Sequence, residues 1–480
     1  MAEILPFRAL HYNPKLVSGL DAVATQPYDK ISPQMQARYY DLSPYNLVRI
    51  IRARQSPEDT PEDNVYSRAA RHFRDWIEQR VLISEAEPAL YPYYQEYALP
   101  GLDEGGPPTP GAGQHDGRKL RRGFTALCRV EDYSAGVVHR HEETLSAPKA
   151  DRLELLKATR AHFGLIFMLY SDPEGTVEEA LEREDKGKPW EEVEDEFGTL
   201  HSVWRVTEPG AIDRVVEAMR TKKLVIADGH HRYETALAYR DWCRAGGRTD
   251  HRAEYVMATF IRMETNGLTI LPTHRVVHSL PGFDWTRFTA AAEPFFDLVR
   301  EGLPDAGLDR SEFSSRNPGH SRQSGPSGLF REQLARFREQ LAEAGRERPA
   351  IGAYAGPGKL ALLLLRRGVD LGSLMPDLPA SLARLDVVCL HRLILERALG
   401  IDRQAVESER NLRYVREWAA CIEQVESGRA QVCFLMNPTP IEAVRENAFA
   451  GRVLPQKSTD FYPKLLSGLT IFWLDNPAGI

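Results

Sequence analysis

Asp228, Gly229, His230, His231 and Arg232 follow an apolar, β-branched run, Leu224-Val225-Ile226-Ala227, and precede a segment of good helix formers, residues 233–240. That order predicts a buried strand, a glycine turn and a helix start. The first amides of such a helix point at the turn with the positive end of its dipole, and Gly229, two histidines and Arg232 add room and donors for an anion. Phosphate binding, with His230 and His231 as candidate catalytic groups, is the chemistry this spacing suits. Asp228, at the strand end, can orient a histidine or hold a metal ion; the plainer alternative is an N-cap beside solvated polar residues.

Two further clusters carry groups of the same kind. Val138-His139-Arg140-His141-Glu142 is followed by Lys149, Asp151 and Arg152 at the start of an expected helix, 153–161. In an extended chain His139 and His141 share one face and Glu142 points away. The alternative is a polar edge strand running into a capped helix. Near the end, Gln456-Lys457-Ser458-Thr459-Asp460 leads to Lys464. Here Lys457 and Lys464 can neutralise phosphate while Ser458 or Thr459 donates hydrogen bonds to it. A metal site from His139, His141 and His230 is conceivable but needs a tertiary coincidence. Other signatures fail: Gly356-Pro357-Gly358-Lys359-Leu360 lacks Walker spacing, Gly111-Ala112-Gly113 is not a dinucleotide turn, and no zincin or nucleophile-elbow pattern occurs.

The elements that must position these clusters read as α/β. Helices are expected over residues 62–79, 174–195 (a charged edge insertion), 211–219, 330–344, 388–399, 414–427 and 441–450, the last with Thr439 as N-cap before Pro440. Strands are expected over 90–97, 122–130, 203–206 and 430–435, with a hairpin from 350–354 and 359–365. Residues 99–117 and 314–328 are rich in Gly, Pro and Ser and read as a surface loop and a linker. A chain of 480 residues exceeds one ordinary core, so the expected plan is a lobe over 1–280, a linker over 281–329 and a second α/β lobe over 330–480 covering the site. The net charge of -7 gives no general pull on nucleic acid or anionic membrane, so phosphate must be held locally. Five scattered cysteines form no Cys-x-x-Cys pair, and the start has no basic, then apolar, leader. The expectation is a cytoplasmic protein, without membrane or nucleic-acid partners; the oligomeric state is left open.

Nearly end to end, the chain resembles the DUF1015 family, whose name records only a domain of unknown function. The resemblance rests on Pro6-Phe7-Arg8-Ala9-Leu10, Pro27-Tyr28-Asp29, His141-Glu142 through Arg152, Ala227 to Glu234, Leu385 to Arg392, Asn437-Pro438-Thr439, and Pro455-Gln456-Lys457-Ser458-Thr459 through Lys464 to Leu469. The strand, Asp228-Gly229-His230-His231-Arg232 and helix unit is also similar to the phosphate motif of the ParB/sulfiredoxin-like fold, which includes the free serine kinases. This second resemblance implies a ParB/sulfiredoxin-like core. It also implies phosphoryl transfer between ATP or ADP and a small hydroxylated metabolite, serine or phosphoserine first. Phosphates would sit after Gly229, held by Arg232 with His141, Lys149, Arg152, Lys457, Ser458 and Thr459, and charge would be spread by His230 and His231. Mg²⁺ would lie near Asp228. Those kinases use a glutamate as base, and the nearest counterpart here is Asp29. A nucleotide-binding regulator of ParB-like type, and an interaction protein with a degenerate pocket, are the alternatives.

Overall fold

The computed structural model describes residues 2–100, 118–143, 147–183, 187–247, 251–301 and 328–479. The loop expected at 99–117 lies outside them from residue 101 on, as does all but the end of the linker expected at 314–328. Two sheets organise the rest. The larger has nine strands and mixed direction: Val138–Arg140 runs parallel to Leu224–Asp228, which lies antiparallel to Ile166–Tyr170. Ile166–Tyr170 is in turn parallel to Tyr255–Arg262. The order continues through Lys119–Arg129, Tyr91–Tyr97 and Leu200–Val203 to the edge strand Glu191–Glu194. Central strands covered on both faces read as unbroken apolar runs, and Leu224 to Ala227 is one. Leu224 and Ile226 pack into the core under the helices Thr176–Glu182 and Pro209–Arg220, whereas Val225 and Ala227 pack into the core on the opposite face.

The second sheet is antiparallel and six-stranded, in the order Phe296–Glu301, Leu360–Leu365, Ala350–Tyr354, Val432–Met436, His274–Val277, Leu412–Val415. One face packs against the helix Trp285–Ala292 and the helical run from Asp386 to Ala398. The other packs against Gly328–Glu347 and Trp418–Glu426. The end of the chain then packs back on the core of the first sheet through two small two-stranded sheets: Asp460–Tyr462 pairs with Thr269–Leu271, and Phe472–Trp473 with Ala161–His162. That return stretches residues 455–464 across the space between the sheets.

Several expectations change. The second sheet begins at His274, before residue 280, and takes Phe296–Glu301 from the stretch expected to be linker, because its apolar alternation finds pairing partners there. The helix expected from 62 starts at Val65, since Asn64 and Ser67 form a reciprocal capping box. Of the helix expected over 174–195, the described residues form helix only over Thr176–Glu182; Glu191–Glu194 is an edge strand whose single buried residue is Val193. The neighbouring strand is Leu200–Val203 rather than 203–206. Residues 412–415 are a strand and the following helix starts only at Trp418, so Tyr414 belongs to a sheet edge. Thr439 does not cap the helix Ile441–Phe449; its hydroxyl donates to the Ser458 carbonyl at 2.7 Å. Among the described residues all five cysteines are free and buried, and no helix is long and apolar enough to cross a membrane.

Candidate functional site

The strand Leu224–Asp228 ends at the mouth of a cavity of about 510 Å³ lying between the two sheets. Gly229 there has φ +90°, and a Cβ on it would meet the Arg232 guanidinium within 3.1 Å, so the position needs glycine twice over. The helix His230–Ala245 starts immediately after, and its N-cap residue, Gly229, has no side chain to cap it. Its first amides have no intrahelical acceptor, and Gly229, His230, His231 and Arg232 all line the cavity. The opposite walls are Tyr28, Asp29 and Lys30 from an early turn, Arg413 to Arg416 from the edge of the second sheet, and the returning segment through Lys457, Thr459, Asp460 and Lys464.

Charge in this cavity is arranged in two tiers. Asp228 accepts from Arg232 Nη2 at 2.6 Å and from Lys464 Nζ at 3.0 Å, and Lys464 reaches Asp460 at the same distance. Arg416 closes the chain on Asp460 at 2.9 Å. Burial opposes a charge on Asp228, but Lys464, Arg232 and Lys30 outweigh it and hold the carboxyl far below the usual range. Asp460 is held at about 2 against its burial, chiefly by Lys464, while Lys464 itself is raised to about 12 by the two carboxylates despite being buried. These ions stay charged at neutral pH and largely satisfy one another. Lys30, Arg413 and Lys457 form the second tier: they line the cavity and make no ion pair among the described residues.

A second network reaches the cavity from the side. His141 donates through Nδ1 to the Ile226 carbonyl at 2.6 Å, and its Nε2 lies 2.6 Å from Thr459 Oγ1. Thr459 donates through both its amide and its hydroxyl to Glu142 Oε1 at 2.7 Å. Burial raises the Glu142 pKa, but His141 and Thr459 more than reverse this and bring it down to about 2. A carboxyl depressed from 4.5 to about 2 contributes stability that is complete above pH 4.5 and lost as pH falls toward 2. The expected size is on the order of 3 kcal/mol. In urea titrations between pH 6 and 2, Glu142→Gln should flatten the acid limb relative to wild type; an unchanged limb would refute the assignment. His230, 4.9 Å from the His141 ring, is brought down to about 3 by burial and then by His141. It is therefore a neutral imidazole at pH 7, able to donate or accept one hydrogen bond but not to supply positive charge.

Of the residues singled out in the sequence, Asp29, Asp228, Gly229, His230, His231, Arg232, Lys457 and Thr459 line this one cavity. His141 is fully buried one layer behind it, where it holds Thr459. Glu142, expected to point away, faces the cavity instead, because the strand ends at Arg140 and the alternation ends with it. His139 packs against Phe449 and is turned toward the Gly136 carbonyl. Ser458 is buried and donates to the Pro455 carbonyl, so it closes its own turn rather than facing a ligand. Arg152 lies over the Tyr28 ring and lines a smaller neighbouring pocket that shares Tyr28 and Arg232 with the main cavity. Lys149 is in the helix Ala147–Thr159, but its side chain lies outside the described residues. The magnesium implied at Asp228 does not fit there, since both oxygens of that carboxylate are engaged by cations, Arg232 and Lys464. Among the described residues no three His, Cys, Asp or Glu side chains are grouped to hold a metal ion, which removes the His139, His141 and His230 site. Lys30, Arg413, Arg416 and Asp460 were not read from sequence as site residues; only their tertiary placement marks them.

The model of a protein family described as "Protein of unknown function (DUF1015)" matches residues 4–388. The chain belongs to the DUF1015 family. No curated protein matches this DUF1015 chain. Among solved structures, a free serine kinase in complex with AMP is 10% identical with a TM-score of 0.35, covering 72% of this chain and 92% of its own. A conserved hypothetical protein from Pyrococcus furiosus is 9% identical with a TM-score of 0.34, covering 73% and 96%. SbnI from Staphylococcus aureus, truncated at its C-terminus, is 12% identical with a TM-score of 0.34, covering 73% and 89%. Likeness this shallow leaves ligand and activity with those proteins.

Proposed function

We propose that this protein transfers a phosphoryl group between a nucleotide, ATP or ADP, and a small hydroxylated metabolite, with serine or phosphoserine the first to try. The observation that carries the reading is the start of the helix His230–Ala245 at Gly229, which has no side chain to cap it, opening on a cavity where Lys30, Arg413 and Lys457 make no ion pair among the described residues. Preformed amides and cations aimed at one space stabilise the spread negative charge of a transferring phosphoryl group without reorganising. In this reading the lobe around the larger sheet is a ParB/sulfiredoxin-like core, and the second lobe covers the site with Arg413 and Lys457. Phosphates lie against Gly229, His230 and His231, with Arg232 fixed by Asp228 at their edge. Asp29, exposed on the cavity wall, takes the proton from the acceptor hydroxyl. His141 and Ser458 act behind the surface through Thr459 and the turn it sits on.

A ligand that binds only the folded state raises its stability by mass action, by about 2.7 kcal/mol at a hundred times its dissociation constant. ATP and ADP should therefore raise the melting temperature while adenosine at the same concentration does not, since the phosphates carry the affinity. Equal shifts with adenosine, or none with any nucleotide, would contradict the proposal.

A further inference from the structure

Two arginines, Arg121 and Arg275, are fully buried, at 0% and 1% exposure, and neither makes an ion pair among the described residues. A buried charge without a counter-ion is expensive, so both positions call for a reason. They stand on different sheets: Arg121 on Lys119–Arg129 and Arg275 on His274–Val277. Yet both donate to main-chain carbonyls of the same returning segment. Arg121 donates through Nη1 to Tyr462 at 3.0 Å and through Nη2 to Pro463, and it fixes Gln95, whose amide donates to the Lys464 carbonyl at 2.8 Å. Arg275 donates through Nη2 to the Lys457 carbonyl at 3.0 Å and through Nη1 to Thr273, with its guanidinium over the Tyr414 ring. The segment is thus gripped at both ends, beside the two lysines it carries to the cavity. Lys457 is held with φ +57°, a left-handed conformation that a non-glycine residue keeps only where its surroundings impose it. Burial pushes both guanidinium groups down to about 10, so both stay charged at neutral pH; this is opposed at Arg121 by Tyr97 and Tyr93 and then by Asp228, and at Arg275 by Tyr414 and then by Glu142, the two carboxylates lining the cavity.

We propose that Arg121 and Arg275 are positioning residues that brace residues 456–464 from the two sheets, setting Lys457 and Lys464 against a bound polyphosphate whose charge offsets their own. The inference rests on the proposed phosphate site. It makes the site a joint product of both sheets, since neither arginine alone reaches both lysines.

The test is a double-mutant cycle read by calorimetry with inorganic tripolyphosphate, which has no base or sugar. Lysine keeps the charge of Arg275 but cannot reproduce its planar fork between carbonyls or its contact with Tyr414. If Arg275 acts through Lys457, then Arg275→Lys and the exposed Lys457→Met should each weaken binding about tenfold, and the double variant little more than either alone, because coupled residues are non-additive. Equal fold-losses from Arg275→Lys in both backgrounds, or no loss from it at all, would overturn the brace. Amide hydrogen exchange supplies a second reading without ligand. In Arg275→Lys and Arg121→Lys, residues 456–464 should exchange faster while the central strands of both sheets do not. A uniform rise across both sheets, or no rise at 456–464, would show a merely structural role and overturn the inference. If the wild type binds no tripolyphosphate and no nucleotide, the proposed function falls and the ligand half of this inference with it, whereas the exchange pattern still judges the bracing on its own.

Discussion

Asp29→Asn should leave the protein folded and its affinity for ATP nearly unchanged while lowering kcat by about 100- to 10,000-fold, the usual contribution of a positioned general base. The structure separates this from a capping role. Ser32, not Asp29, caps the helix Pro33–Leu42 by accepting from the Met35 amide at 3.2 Å. The Asp29 carboxylate makes no hydrogen bond or ion pair among the described residues; it is exposed on a short turn, Tyr28–Lys30, at the cavity wall. Asparagine keeps the shape and removes the base. Single-turnover transfer together with a urea melt decides the matter: normal turnover with lower stability would show that the residue serves the fold and not the chemistry.

The largest stability effect is expected at Lys464→Met. Lys464 is 9% exposed and pairs with both the partly buried Asp228 and the buried Asp460, so its removal leaves those carboxylates, among the described residues, with Arg232 and Arg416 as ion-pair partners and Lys30 nearby. Breaking one partner of a buried ionic network costs roughly 3–5 kcal/mol, because the remaining charge cannot recover its hydration. At the exposed Lys457, the same change to methionine should stay within about 0.5 kcal/mol. Denaturant midpoints of the two variants measure the contrast directly. A loss at Lys464 no greater than at Lys457 would mean that the Asp228 pair is open to water and that the two tiers of charge are not distinct.

How much of this was legible in the sequence depended on whether the signal was local. The run Leu224 to Ala227, a glycine that must take positive φ and a helix-forming segment state the strand, turn and helix junction within a few residues, and the structure has that junction. Lys457 and Thr459 stood out because polar groups cluster there between apolar elements, whereas Asp29 was picked out only by the resemblance to the serine kinases; all three line the cavity. Adjacent residues were harder to separate. Ser458 and Thr459 look alike in sequence, but only Thr459 faces Glu142, while Ser458 turns back on Pro455. Arg413 and Arg416 were hidden because residues 414–427 have apolar spacing that also suits a helix; pairing with His274–Val277 makes 412–415 a strand and brings its end to the site. Arg121 and Arg275 could not be found at all from local pattern, since a buried arginine in a strand and a solvated one look the same until the chain has folded. Lys30 was missed for a similar reason, as the charged groups that act on it, Asp228, Arg416, Asp460 and Lys464, come from distant parts of the chain.

The central claim, that nucleotide phosphates placed at Gly229 are passed to a small hydroxyl, is tested most directly by phosphorus NMR of the protein incubated with ATP and a mixture of amino acids, hydroxy acids and polyols. The account predicts a new phosphomonoester resonance growing as the γ-phosphate signal of ATP declines, absent with Asp29→Asn. ATP that binds but remains intact would contradict transfer and leave a nucleotide-binding regulator; release of inorganic phosphate alone would contradict the acceptor.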